Sequence, residues 1–412
     1  MSAVERSLRA APKARARLVD RAAAAVLERE LAHLEGGSLD VKLPDGTRRT
    51  FGSGKPVSLA IHDRALFRRL ATRGKVGFGE SYTAGDWDTD DLVGLFELLL
   101  RNSEAAAARN GVVRRLVEAR PRPNRRNGLW RARHNISYHY DLGNDLFELM
   151  LDETMTYSCG IFDRADATLA DAQRAKLQRV CDKLQLGPDD HVLEIGCGWG
   201  GFALYAAATT GCRVTGLTIS AEQAKLARER VANEGLRDRI EIVEQDYREH
   251  DGRYTKVASI EMLEAIGEKQ FGTYFATIDR VLERGGIACV QTILIPDDRW
   301  ERYRKTPDWI EQYVFPGCLI PSLSALTRAA TASSRLTMLD VDEIGPHYAE
   351  TLRRWRENIH ERIGDVRALG YDRTFERTWD FYLAFCEAGF RLRALRDVQL
   401  TLSRPLNESV AF

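Results

Sequence analysis

The sequence predicts an α/β fold, a parallel sheet with helices on both faces, preceded by a small α+β unit. Three observations predict it. From residue 191 onward, short apolar strands alternate with helical stretches, the rhythm of a parallel sheet covered on both sides. The first of these strands turns into a helix through a cluster of glycines, VLEIGCGWGG. Before residue 102 the segments are short, and two alternating runs flank an Asp-Gly pair as in a hairpin.

Taken in order, the N-terminal stretch MSAVERSLRAAPKARARLVDRAAAAVLERE is rich in Ala and Arg, which predicts a helix and is too charged for a signal-peptide core. SLDVKLPDGTRRTFG alternates around its turn, and PVSLAIHD predicts another strand. RALFRRLATRG and DDLVGLFELLLRN follow with helical periodicity. These segments make a first domain over residues 1–102. Residues 103–133, with Pro121, Pro123, Gly128 and many arginines, predict an interdomain linker. Residues 134–412 form the second domain. In it HVLEIGCG, RVTGLTI, IEIVEQD, KVASIEM and IACVQTIL predict strands, joined by the helical WGGFALYAAATTG, SAEQAKLARERVANEG and KQFGTYFATIDRVLERGG. Between TILIP and a last strand, RDVQLTLSR, lies a long stretch of aromatic helices. An insertion there is placed to form a lid or substrate chamber over the carboxyl ends of the strands.

A chain of 412 residues exceeds one ordinary core, in keeping with two domains. Its net charge of zero and 44% hydrophobic content give no sign of a nucleic-acid partner. The charge is unevenly spread, however: RRLVEARPRPNRRNGLWRARHN carries a single acid, Glu118. That segment is either a solvated linker or a contact for an anionic membrane surface. The seven cysteines, at 159, 181, 197, 212, 289, 318 and 386, are scattered without C-x-x-C spacing. Neither a disulfide framework nor a metal site is expected, and a reducing cytoplasm fits. No run approaches the roughly 18 apolar residues that cross a bilayer, so any membrane association is expected to be peripheral.

The glycine loop, with Gly196, Gly198, Gly200 and Gly201, lets backbone approach a ligand at the sheet edge. It also satisfies the dinucleotide pattern G-x-G-x-x-G, so a dehydrogenase stays open. Two features favour a cationic sulfonium cofactor instead. Glu194 puts a carboxylate at the mouth of the loop, and VTGLTIS offers no acid for a nicotinamide ribose.

VLEIGCGWGG resembles motif I of the class I S-adenosylmethionine-dependent methyltransferases. Together with YHYDLGNDLFELMLDETMTYSCGIF, GLTISAEQ, QDYRE, VFPGCLIPS and HYAETLRRWREN, it resembles the cyclopropane-fatty-acyl-phospholipid synthases and their mycolic-acid and tuberculostearic-acid relatives. The resemblance runs from His134 to Arg404, and FGESYTAGDWDTDDL is similar to the lipid-engaging N-terminal domain of the long bacterial members. It implies a Rossmann-like methyltransferase sheet with helical lid insertions. It also implies S-adenosyl-L-methionine as cofactor and, as substrate, a phospholipid carrying an unsaturated acyl chain. A second copy of the chain is a candidate partner, as is a reductase if the product is a methylene chain.

By the same resemblance Tyr157 and Ser158 close over the methionine end of the cofactor, and Gly196 and Gly198 approach it through backbone. Thr218 and Gln223 take the ribose side, and Asp246 and Tyr247 the adenine side. The family's base is a bound bicarbonate held by a cysteine, a glutamate, a histidine and a tyrosine. Cys159, Glu264 and Tyr348 match the first, second and fourth of these. Gln291 stands in place of the histidine; it can hydrogen-bond an anion but cannot relay a proton. Ala265 replaces a frequent histidine, and Cys318 stands where a glycine is common. A Cys159–histidine nucleophile pair with His134, His139 or His347 is the alternative role for the thiol.

Chemistry explains the demands on such a site. Methylating an isolated cis alkene leaves a cation on a saturated chain, so water must be excluded. Aromatic faces can stabilise that cation, and YHY, WIEQYVF and TWDFYLAF are candidates to supply them. Proton loss closes a cyclopropane, the expected product; a prior hydride shift gives an exocyclic methylene, the precursor of a methyl branch.

Overall fold

The computed structural model describes residues 13–109, 143–306 and 308–408. His134, His139, the YHY run and the whole of the Arg-rich segment, with Arg125 and Arg126, lie outside the described residues. The chain divides into two compact units. One holds the N-terminal part together with Thr306–Trp309 and Asp372–Ala388; the other holds the remainder.

In the first unit the helix Lys13–Leu31 precedes β1 (Ser38–Lys42), β2 (Arg48–Gly52) and β3 (Pro56–Ile61); then come the helix Ala65–Thr83, β4 (Trp87–Asp88) and the helix Leu92–Arg109. The strands are ordered β2-β1-β3-β4. As expected, β1 and β2 pair antiparallel, Lys42 facing Arg48. The turn is set by Gly46 at φ +85° and by the Thr47 N–H donating to Asp45 Oδ1 at 3.0 Å. The helix expected to stop at Gly74 continues to Thr83 beyond a break at that residue, where φ is +56°.

The core of this unit recruits distant chain. Trp87 is fully buried, stacked on Phe78 with ring centroids 4.5 Å apart. Phe381 packs on Phe96 at 4.9 Å and on Trp309 at 4.5 Å. The Arg377 guanidinium donates to the carbonyls of Tyr82 and Trp87 at 2.5 and 2.8 Å and to Asp88 at 2.6 Å. The sequence assigned all of 134–412 to one domain. Asp372–Ala388 groups with the N-terminal unit instead, because its aromatic face and Arg377 complete a core the first 109 residues leave unfilled.

The second unit carries β5 (His191–Ile195), β6 (Arg213–Thr218), β7 (Ile240–Glu244), β8 (Tyr254–Ile260), β9 (Leu282–Leu294), β10 (Thr337–Glu343) and β11 (Arg396–Ser403). Their order is β10-β11-β9-β8-β5-β6-β7. The pairings among β5 to β9 are parallel, whereas β11 runs antiparallel to both β9 and β10. The expected wholly parallel sheet is therefore mixed. β10 also falls where only helices were expected. It is an edge strand of alternating exposure, and its charged residues hide the pattern: Lys183 Nζ lies 2.6 Å from Asp340, and Arg179 lies 3.2 Å from Asp342.

Apolar faces cover both sides of this sheet. The helix Phe271–Val281 buries Phe271, Tyr274, Phe275 and Ile278 against Leu193, Val257, Val290 and Leu400. On the other face the helices Leu169–Leu184, Gly201–Thr210 and Ala221–Asn233 bury Leu177, Val180, Phe202 and Ala227 against Val192, Val214 and Ile287. Each large side chain so buried contributes roughly 1.5–3 kcal/mol. A capping box starts the first of these helices: Thr168 Oγ1 accepts from Asp171 N, and the Asp171 carboxylate accepts from Thr168 N, both at 3.1 Å.

Candidate active site

β5 ends in the glycine loop. Gly196, Gly198 and Gly200 hold φ of +84°, +53° and +81°, a conformation that costs a side chain about 1–2 kcal/mol. A Cβ on Gly196 would lie 2.6 Å from Met262 Cγ. The N–H groups of Gly196 and Cys197 donate to Leu217 O at 2.9 and 2.8 Å, tying the loop to the end of β6. Glu194 is buried, and its carboxylate accepts from the Ala203 N–H in the first turn of the next helix. Burial pushes that carboxyl up to about 8; its Oε2 finds no partner among the described residues.

The structure brings Thr218 and Gln223 together, Oγ1 to Oε1 at 2.9 Å. Asp246 is clamped by Arg248, whose Nε and Nη2 donate at 2.8 and 2.6 Å. Tyr247 is a core residue, 5.8 Å edge-on from Tyr274, and burial raises its hydroxyl well above the usual range. Ser158 accepts from Lys176 Nζ at 2.6 Å, and that lysine is fully buried. Burial lowers the Lys176 ammonium, while Glu261 acts in the opposite direction.

At the other end of the same sheet edge, the residues expected to hold an anion converge on a carboxylate the sequence did not single out. Glu261, just past β8, receives the Cys159 backbone N–H at 2.8 Å and Gln291 Nε2 at 2.8 Å on Oε1, and the Tyr348 hydroxyl at 2.5 Å on Oε2. Glu264, expected in this set, turns elsewhere: its Oε1 accepts from Ile293 N at 2.5 Å and Thr292 Oγ1 at 2.9 Å. Burial, then the charge of Glu261, pushes its carboxyl up to about 8. Gln291 also donates to Asp397 at 3.1 Å and accepts from Gln399 at 3.1 Å, which fixes its amide as a spacer. Asp397 is fully buried; desolvation, then the charges of Glu261 and Glu264, raise its carboxyl far above its ordinary value.

The Cys159 thiol donates to the carbonyls of Gly160 and Ile344, at 3.2 and 3.7 Å. Burial and the adjacent Asp397 and Glu261 push it well up, so it stays a thiol. Of the three histidines expected as its partner, His347 does not hydrogen-bond it, and His134 and His139 lie outside the described residues. Its contribution to the cluster is a backbone N–H.

Aromatic rings pack around these groups. Tyr157 lies 5.3 Å from Phe147, 5.0 Å from Trp355 and 6.4 Å from Phe315; Tyr348 stacks on Phe390 at 4.5 Å. Of the three runs expected to supply such faces, WIEQYVF provides Phe315, whereas the aromatics of TWDFYLAF that pack on Phe96 and Trp309 serve the first unit. Phe147, Trp355 and Phe390 went unnoticed in the sequence because each reads as ordinary helix core. Glu261, Asp397 and Lys176 were also missed. The one available signal was that Glu261 sits at the carboxyl end of a strand, where ligands of such sheets bind.

The residues present do not fit a bound bicarbonate. Cys159 N–H, Gln291 Nε2 and the Tyr348 hydroxyl are all engaged by Glu261. A further anion would lie against that carboxylate, at a cost of about 4 kcal/mol for unit charges 4 Å apart near a protein surface.

The mycolic acid cyclopropane synthetase family model matches residues 128–400. The chain is 40% identical over 393 residues to the tuberculostearic acid methyltransferase UfaA1 of Mycobacterium tuberculosis, covering 92% of this chain and 90% of that protein. It is 37% identical over 349 residues to the cyclopropane-fatty-acyl-phospholipid synthase of Escherichia coli, with 85% and 88% covered. Among solved structures, the cyclopropane synthase MmaA2 from Mycobacterium tuberculosis superposes with a TM-score of 0.62 at 28% identity, over 66% of this chain and 98% of that one. The mycolic acid cyclopropane synthase CmaA1 complexed with SAH and CTAB gives 0.61 at 32% identity, over 66% and 97%.

Proposed function

Since this chain belongs to the mycolic acid cyclopropane synthetase family and is an S-adenosylmethionine-dependent methyltransferase, we propose that it methylates a cis double bond in an unsaturated acyl chain of a phospholipid. The observation that carries this reading is the aromatic cluster of Tyr157, Trp355, Tyr348 and Phe390 around a hydrogen-bonded carboxylate. Ring faces stabilise a carbocation without reacting with it, and a fixed acid-base group beside them can take its proton. S-adenosylmethionine, when bound, supplies an electrophilic methyl group. The glycine loop, Thr218 and Gln223 form the side of the site suited to hold it.

Two products descend from the same cation, and the order of two events decides between them. If the new methyl group loses a proton first, a cyclopropane closes; a base already fixed in place favours this outcome. If a hydride moves first, proton loss leaves a methylene branch. The 40% identity to a tuberculostearic acid methyltransferase across 92% of the chain supports this second reading, in which a reductase would finish the product.

Incubation with methyl-labelled S-adenosylmethionine and dioleoylphosphatidylglycerol vesicles should place label in the acyl chain, and NMR of the released acid should show upfield ring protons rather than vinylic ones. Label absent from fatty acid rejects the function; vinylic protons select the branch. No described helix is long and apolar enough to cross a membrane, and docking through the Arg-rich segment with Arg125 and Arg126 is part of the proposal. Raising salt in this same assay should therefore suppress turnover on the anionic vesicles.

A further inference from the structure

We propose that Glu261 is the proton acceptor of this enzyme, its carboxylate built into the place that the family resemblance assigns to a bound bicarbonate. This rests on the alkene-methylation reading above. Three observations lead to it. First, the donors expected to hold the external anion, from Cys159, Gln291 and Tyr348, all close on the Glu261 carboxylate at 2.5–2.8 Å. Second, Glu261 is strained: it is a non-glycine residue at φ +50°, a conformation retained only where the surroundings impose it and one that clusters at functional sites. Its own N–H is pinned to Gln291 O at 2.8 Å, so the strain directs the side chain toward those donors. Third, Glu264 and Asp397 are buried while Glu261 keeps accessible surface. Of these three acids it is the one a substrate can reach.

The step balances without a further reactant. The alkene π pair forms a bond to the sulfonium methyl carbon as the S–C pair returns to sulfur, leaving a cation on the neighbouring carbon. Glu261 takes a proton from the transferred methyl, and the released C–H pair closes the ring, or forms the methylene double bond if a hydride has already moved. The neutral Glu261 then releases its proton to solvent before the next turnover. Asp397 accepts from Gln291 Nε2 at 3.1 Å and so holds the amide that faces Glu261; it is a positioning residue.

The test uses the full chain in buffers purged of carbon dioxide. Glu261→Gly removes the carboxylate and suits the positive φ; Glu261→Gln keeps the shape without the base. With S-adenosylmethionine and dioleoylphosphatidylglycerol vesicles, the wild-type rate should be the same with and without sodium bicarbonate. Both variants should fall about 100-fold or more. Bicarbonate should restore part of the rate to Glu261→Gly, which lacks the carboxylate those donors bind, and none to Glu261→Gln, whose amide still fills the place. Without vesicles, bicarbonate should raise the melting temperature of Glu261→Gly and leave the wild type unmoved. The proposal is overturned by a wild type that needs or is stabilised by bicarbonate, by variants retaining the wild-type rate in purged buffer, or by a glycine variant indifferent to the ion. Should the wild type leave the vesicles unmodified, the substrate reading fails, and the melting comparison still decides what occupies the anion place.

Discussion

Along one edge of the seven-stranded sheet, the half made by β5, β6 and β7 and the half made by β8, β9 and β11 are built from different materials. The first is shaped backbone: left-handed glycines, a paired Thr218 and Gln223, and an Asp246 neutralised by Arg248. The second is a cluster of carboxyl groups: Glu261 and Asp397 share the Gln291 amide, Tyr348 donates to Glu261, and Glu264 is held apart by Thr292 and Ile293. On the proposed function, the difference teaches that holding the cofactor would be a matter of shape, and managing the reacting cation a matter of where protons sit.

The largest effect that would sharpen this contrast is expected from Tyr348→Phe. Losing the Tyr348 donor to the Glu261 carboxylate costs about 1.5–3 kcal/mol, so turnover should fall about 10- to 150-fold while the affinity for S-adenosylhomocysteine, read by calorimetry, holds. If affinity drops in step with turnover, the two halves are not separable. Next comes Gly196→Ala. With φ at +84° and Met262 in the way, the backbone strain of about 1–2 kcal/mol should weaken S-adenosylhomocysteine binding roughly 5- to 30-fold and leave the ratio of ring to branch untouched; an altered ratio would break the comparison.

A separate effect, on stability and not on turnover, lies in pH dependence. The Glu194 carboxyl sits at about 8 in the fold against an ordinary 4.5, so its contribution to stability is full below about 4.5 and is lost as pH rises toward 8. Glu194→Gln should therefore gain on the wild type across that window, by up to about 1.4 kcal/mol per pH unit, and the gain should level off above it. Denaturant titrations at several pH values measure this, and parallel curves for the two proteins would mean that Glu194 ionises in the fold as it does in water.

The same contrast explains what the sequence disclosed. The cofactor half is written in contiguous runs, VLEIGCGWGG and GLTISAEQ, whose spacing implies their geometry. The carboxyl half is assembled from positions 159, 261, 291, 348 and 397, which only the sheet order brings together. Family resemblance reached Cys159, Gln291 and Tyr348, but it also pointed to Glu264, three residues beyond the acid those groups contact. Chain spacing cannot rank Glu261 over Glu264, because the choice is made by one left-handed residue after β8. β10 escaped notice for another reason: an edge strand whose acids pair with Arg179 and Lys183 looks like solvated surface.

The core around Trp87 has a consequence for how this protein is made. Arg377, which donates to the Trp87 carbonyl, is translated 290 residues after that tryptophan. At about 5–20 residues per second that gap lasts roughly 15–60 s. During synthesis the N-terminal unit therefore waits with its aromatic interior uncovered, and it can finish folding only after Asp372–Ala388 has been made.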